Sequence, residues 1–151
     1  MLEHTRSDEL VVRMRATRAV AVLCHAHGRS HGAVLAAGGV KKLLAAVRAH
    51  VEGGEEEEAE EVALWALRAL SSCAVDHVAC RRRLVASGAA DVFETFAVLG
   101  SSEVVKRDAA AASACCADES THNGESSFKS GLRAASISAA KWHAELHGPG
   151  L

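Results

Sequence analysis

The sequence contains no tyrosine and one proline, and aromatic residues make up only 3% of it. The single proline, Pro149, stands next to the C-terminus, so no interior segment carries the residue that breaks helices. Of the 151 residues, 49% are hydrophobic, and alanine, valine and leucine supply most of them. Alanine is the strongest helix former, and small side chains let helices approach closely. The composition therefore predicts an all-α fold, with residues 1–151 forming one domain.

Long apolar runs and an excess of one charge are also lacking. No stretch of about 18 apolar residues exists, so we expect no transmembrane helix and no membrane partner. The formal net charge of −2 gives no general attraction to nucleic acid, and Arg81–Arg83 is the one basic run. Acidic residues near the N-terminus argue against a signal or transit peptide. We expect a cytoplasmic protein, with the nucleus as an alternative.

The cysteines are odd in number and several fall within predicted helices, which favours free, buried thiols over a disulfide framework. They are Cys24, Cys73, Cys80, Cys115 and Cys116. Three histidines follow Cys24 within seven residues, but no second pair of ligands has the spacing of a zinc site. We expect no metal and no cofactor, with the histidines solvated. No nucleophile elbow, phosphate loop or carboxylate pair is present, so we expect no enzymatic activity.

Apolar residues recur at the spacing of one helix face along most of the chain. The clearest case is the helix predicted at 58–72, whose apolar stripe consists of Ala59, Val62, Ala63, Ala66, Leu67 and Leu70. Further helices are predicted at 8–27, 30–38, 40–51, 77–87, 91–99, 103–116 and 132–146. Ser7 or Asp8 is expected to cap the N-terminus of helix 8–27, and Ser102 that of helix 103–116. Val12, Leu23 and Leu99 are expected to face the core.

Trp65 lies about 120° to one side of the apolar stripe of helix 58–72, on a flank that it shares with Glu58, Glu61 and Ala69. An aromatic side chain beside carboxylates can pack against a neighbouring helix or stay exposed and bind a ligand. Because of its angular position we expect Trp65 to be an exposed binding residue, and we keep packing against an adjoining helix as the alternative.

Glycines divide the predicted helices at regular intervals. Gly38 and Gly88 are 50 residues apart, and Gly88 and Gly131 are 43 residues apart. Helical units with a period of about 40–47 residues are typical of HEAT and armadillo solenoids. The longer first interval is explained by a flexible acidic insertion at 53–57.

Three segments make the chain similar to the armadillo-repeat family: Val34–Leu44, Ala63–Leu70 and Arg81–Ala89. The first and third resemble the family's Ala-Gly-Gly corner after helix 1, and the second resembles the Ala-Leu-Trp-Ala-Leu run of its helix 3. The resemblance implies a right-handed α-solenoid of about two full three-helix repeats with a partial repeat at each end. Its expected units are a partial repeat at 8–29, repeats at 30–72 and 76–117, and a partial repeat at 122–147.

In armadillo proteins the third helices line a concave groove, which binds extended peptides through a tryptophan position and an asparagine four residues later. The tryptophan position corresponds here to Ala21, Trp65 and Ala111, and the asparagine position to His25, Ala69 and Cys115. Only Trp65 matches, so the regular amide grip on a peptide backbone is not implied. With Glu58 and Glu61 alongside, the resemblance implies a face that binds a protein or peptide partner, and a basic segment that stacks on Trp65 would suit it.

Two functions remain open. The first is a non-enzymatic scaffold for protein–protein interaction that binds its partner through the face lined by the third helices. The second is a structural segment or subunit that associates with copies of itself or with other chains through uncapped solenoid ends.

Overall fold

The computed structural model describes residues 2–53, 57–116, 140–142 and 144–145. Within these ranges the chain is helical and contains no strand, which confirms the predicted all-α class. The helices are α1 (Leu2–Ala26), α2 (Arg29–Ala36), α3 (Gly39–Gly53), α4 (Glu57–Asp76), α5 (Val78–Ala86), α6 (Ala89–Leu99) and α7 (Glu103–Cys115). Residues 140–142 and 144–145 are helical as well.

Most predicted helices occur within a few residues of their expected bounds. At α7, the Ser102 hydroxyl accepts a hydrogen bond from the Val105 N–H at 3.3 Å, which confirms Ser102 as the N-cap. The first helix begins at Leu2 instead of Asp8, because no glycine or proline interrupts the preceding residues. Neither Ser7 nor Asp8 therefore caps it.

Parts of the C-terminal predictions and of the acidic insertion lie outside the described residues. The loop expected at 53–57 has helical residues at both of its ends, since α3 includes Gly53 and α4 begins at Glu57. Of the helix expected at 132–146, residues 140–142 and 144–145 are described and are helical.

Gly38 and Gly88 form equivalent corners. Each follows a short helix, α2 or α5, and leads into a longer one, with φ of 69° at Gly38 and 70° at Gly88. In both corners the glycine N–H donates to the carbonyl three residues earlier, at 3.1 Å. A left-handed backbone at this position strains any residue with a Cβ atom, which explains the glycines.

Helix α4 is the centre of the fold. It contacts α1, α3, α5 and α7, and its middle is buried on almost every side. The predicted apolar stripe faces the core as expected, since five of its six members are buried and Ala59 is partly so. On the neighbouring flank Trp65 and Ala69 are buried too, whereas Glu61 is exposed. A helix with small residues on several faces can be surrounded closely by its neighbours.

Three residues that were expected to face the core do not. Val12 and Leu23 in α1 are 65% and 50% exposed, and Leu99 at the end of α6 is 54% exposed. Helix α1 has apolar residues on more than one face, and it turns the smaller pair, Ala21 and Cys24, towards its neighbours. Small side chains allow a closer helix contact, which the larger Val12 and Leu23 would prevent.

The described helices include none that is both long enough and apolar enough to cross a membrane.

Replacing Gly88 by alanine tests the corner geometry. An added Cβ atom has nothing within 4 Å, so the expected loss comes from the backbone conformation alone and is about 1–2 kcal/mol of unfolding free energy. The matched control is Gly32→Ala in helix α2, which also has open space and should stabilise the chain by up to about 1 kcal/mol. Urea unfolding followed by circular dichroism measures both. Equal effects of the two substitutions would contradict the left-handed corner.

Candidate partner-binding face

Trp65 projects from α4 into a small apolar cluster and is 6% exposed. The cluster also contains Ala21 of α1, Ala69 of α4 and Trp142 from the described C-terminal stretch. The expectation that Trp65 is an exposed binding residue is therefore wrong, and the alternative, packing against neighbours, is correct. The two alanines leave the space that the indole rings fill.

Trp142 covers this part of α4. Its ring meets that of Trp65 edge to face, with centroids 5.5 Å apart and an interplanar angle of 89°. The ring of His25 lies on it at 5.1 Å and 57°. Such tilted aromatic pairs contribute about 0.5–1.5 kcal/mol beyond the burial of their area. Trp142 is 2% exposed, whereas its neighbours Lys141 and Glu145 are exposed, so this short segment turns one aromatic face towards α1 and α4.

Two arginines of the chain lie over the tryptophan rings. The Arg68 guanidinium carbon is 4.7 Å from the centroid of Trp65 and 5.7 Å from that of Trp142. Arg18 of α1 lies 5.5 Å from the Trp65 centroid. The cation expected from a partner is thus supplied by the chain itself, because the guanidinium groups already use the faces of the Trp65 ring.

Arg68 is held by a buried ion pair. Its Nε donates to Asp108 Oδ2 at 2.9 Å, and the two side chains are 7% and 2% exposed. Arg107 donates from Nε and Nη2 to the other carboxylate oxygen of Asp108 at 3.1 Å. The carboxylate therefore joins α4 to α7 and fixes the plane in which the Arg68 guanidinium stacks on the indoles.

The predicted groove residues fall into two groups. Ala21, Trp65 and Ala69 meet in the cluster around Trp142, and His25 joins them through its ring contact. Ala21 and Ala69 are fully buried, so they act as the floor of the site rather than as contacts for a solvent-borne partner.

The remaining predicted residues do not belong to that cluster. Ala111 and Cys115 of α7 are 7% and 0% exposed and lie in the larger hydrophobic core. Glu61 is exposed, and the side chain of Glu58 is outside the described residues. Cys115 is buried because α7 turns its small residues inwards, and this removes it from a partner-binding surface.

Sequence reasoning missed three members of the site: Arg68, Asp108 and Trp142. A signal for Arg68 was present, since it stands one helical turn after Trp65, where a cation can reach the ring. Trp142 is the second of only two tryptophans, which marked it as unusual. Asp108 is 40 residues from Arg68, and no local pattern links the two.

A concavity separate from the Trp142 cluster lies between α1, α3 and α4 and has a volume of about 490 Å³. Leu10, Leu43 and Val62 supply apolar lining, and Arg13 and Lys42 are exposed cations at its edge. This composition suits an apolar side chain next to a carboxylate, not a basic segment.

One group of described residues has the donor atoms for a metal ion. Ligand atoms of Cys24, His31 and Cys73 all lie within 4.8 Å of one another, and all three side chains are buried. The five thiols are free and buried, as expected. The expectation of solvated histidines fails for His31, which is 1% exposed, and holds for His27.

The buried pair Arg68–Asp108 gives a direct test of what positions the site. Asp108→Ala leaves a buried guanidinium without its carboxylate and should cost about 3–5 kcal/mol of unfolding free energy. The double variant Arg68→Met/Asp108→Leu removes both charges and should recover most of that loss, since apolar replacement of both partners is often tolerated. Urea unfolding of both variants measures the difference. A double variant as unstable as the single one would contradict a pairwise role.

Comparisons with known proteins return no match to this chain, whether with family models, with curated proteins or with solved structures. Its function must therefore be inferred from its own residues and their geometry.

Proposed function

We propose that the chain is a non-enzymatic armadillo-type solenoid module. Three observations support this arrangement of the helices. The succession α2, α3, α4 is followed by α5, α6, α7 with the same order of short and long helices. Gly38 and Gly88 make the same left-handed corner in each succession. Helices in corresponding positions contact one another, α2 with α5, α3 with α6, and α4 with both α1 and α7. Nearest-neighbour stacking of this kind is how solenoids bury their core.

In this module the face formed by α1, α4 and α7 binds a protein partner. The observation that supports the proposal is the position of Trp142, which packs on α1 and α4 against Ala21, Trp65 and Ala69, the positions that the armadillo resemblance assigns to a peptide-binding groove. The chain's own segment thereby displays the ligand chemistry that the face accepts. That chemistry is an aromatic anchor on a short helical segment, edge-on to Trp65 and beside the Arg68 guanidinium.

The partner chemistry differs from the basic segment that the sequence suggested. Arg68 and Arg18 already place positive charge at Trp65, so a further cation would meet like charge there. An aromatic anchor with a carboxylate close to it suits the exposed Arg18 better. The partner then competes with Trp142, and its apparent affinity is its intrinsic affinity multiplied by the fraction of molecules in which the face is free.

Competition can be measured with the chain's own segment as the probe. A labelled peptide of residues 136–147 should bind Trp142→Ala chain at least about 10-fold more tightly than wild-type chain, because the internal competitor has lost its anchor. Fluorescence anisotropy gives both dissociation constants. The matched control is Lys141→Ala, an exposed neighbour on the same segment, which should bind as wild type does.

A peptide that carries the Trp142→Ala change should not bind any of these chains. Circular dichroism must show that the Trp142→Ala chain keeps its helical content. If the folded Trp142→Ala chain fails to bind the peptide, or binds it no better than wild type, the face is not a competed binding site.

A second candidate function is association through the ends of the helix series. It is favoured by exposed apolar residues on the first helix and on the second succession of three helices: Val12 and Leu23 on α1, and Val98 and Leu99 on α6, which are 50% to 76% exposed. Apolar surface of this kind on terminal units is what neighbouring repeats would cover.

Light scattering at high micromolar concentration tests this candidate. Wild-type chain should be larger than a monomer, and Val12→Glu should shift it to the monomer because a charge would be buried at the contact. Ala33→Glu is the matched control, since Ala33 is exposed but lies on α2, in the succession that has neighbours on both sides. A wild-type chain that is monomeric throughout would rule out association through the ends.

A further inference from the structure

Cys24, His31 and Cys73 come together where α1 ends, α2 passes and α4 approaches its last turn. They are 0%, 1% and 0% exposed, so the cluster is sealed from solvent. The Sγ atoms of Cys24 and Cys73 are 3.6 Å apart. Three helices thus deliver two thiols and an imidazole to one buried point.

The spacing of these donors matches that of a tetrahedral zinc site. Zinc–sulfur bonds of about 2.3 Å place two ligand sulfurs about 3.8 Å apart across a tetrahedral angle. The distance of 3.6 Å between the Cys24 and Cys73 sulfurs is close to this value. All ligand atoms, including that of His31, lie within 4.8 Å of one another.

The surroundings of His31 also suit a metal ligand. Its Nε2 lies 2.6 Å from the Cys24 carbonyl oxygen, which can only accept, so Nε2 carries the proton and Nδ1 keeps a lone pair. Histidines that bind metals usually donate their other ring N–H to a carbonyl or a carboxylate in this way. If Nδ1 takes the metal, the present hydrogen bond is retained and continues to orient the ring.

The two thiols are already in contact, since the Cys73 thiol donates a hydrogen bond to Cys24 Sγ. Thiolate is the form of cysteine that binds metals, so both thiols lose their protons on ligation.

Cys80 is a further buried thiol beside this group. It donates towards the His31 carbonyl oxygen at 3.7 Å. It is buried on α5, so with Cys80 the set would join four helices.

We propose that Cys24, His31 and Cys73 bind a zinc ion, with Cys80 completing the tetrahedron. Each thiol gives its proton to solvent as it ligates, so affinity rises with pH. The thiolates of Cys24, Cys73 and Cys80 with a neutral imidazole offset the 2+ charge and leave a net charge of −1, which limits the cost of burying the ion. The site goes beyond the proposed partner-binding function and does not depend on it.

Cobalt(II) titration of the reduced, full-length chain tests the site. Wild type should bind one equivalent and develop the visible bands of tetrahedral thiolate coordination, and zinc should abolish them. The double variant Cys24→Ala/Cys73→Ala should lose affinity by about 100-fold or more, since ligand loss costs at least as much as loss of an outer-shell partner. The matched control, Cys115→Ala/Cys116→Ala, removes two buried thiols elsewhere and should bind as wild type does.

A second variant keeps the test decisive if the double variant fails to fold. His31→Gln leaves both thiols in place and should also weaken cobalt binding at unchanged helical content. The proposal is overturned if wild-type chain binds no cobalt, or if folded His31→Gln and the control variant bind equally well. It is also overturned if the freshly purified chain is lighter by two hydrogens because Cys24 and Cys73 have formed a disulfide.

Discussion

The close burial of α4 by its neighbours is the constraint on which the rest of the structure depends. Four helices contact α4, and its middle residues are buried on almost every side. Such packing is possible because α4 carries small buried residues, such as Ala66, Ala69 and Ala74, on more than one side, and these let neighbouring helices approach closely. Each buried side chain of α4 that is larger than alanine must then fit a defined neighbour.

Arg68 illustrates this constraint most clearly. A guanidinium in the middle of a buried helix is costly unless its charge and its donors are matched. Asp108 on α7 supplies the carboxylate at 2.9 Å, and the indoles of Trp65 and Trp142 supply the faces on which it stacks. The same residue therefore links the central helix to α7 and prepares the surface that Trp142 covers. Stability and the proposed recognition share one ion pair.

The proposed binding face and the proposed metal site lie at neighbouring positions along the same two helices. On α1, Cys24 points into the thiol cluster and the adjacent His25 contacts Trp142. On α4, Ala69 packs in the tryptophan cluster and Cys73 stands one turn further on. An ion that joined α1 to α4 at the thiols would brace the junction that holds Trp142. The geometry of α1 against α4 is thus common to both proposals.

The sequence by itself determined the local features: the all-α class, most helix bounds, the N-cap Ser102 and the glycine corners at 38 and 88. Each depends on residues within a turn or two of one another, and helical periodicity and capping report such neighbours directly. The tertiary structure decided which apolar face of α1 turns inwards, so that Val12 is exposed and Ala21 is buried. It also decided that Trp65 is covered by a residue 77 positions later in the chain, and that Cys24 meets Cys73. These pairings join different helices, and their register is set by the packing of whole helices, which no local pattern encodes.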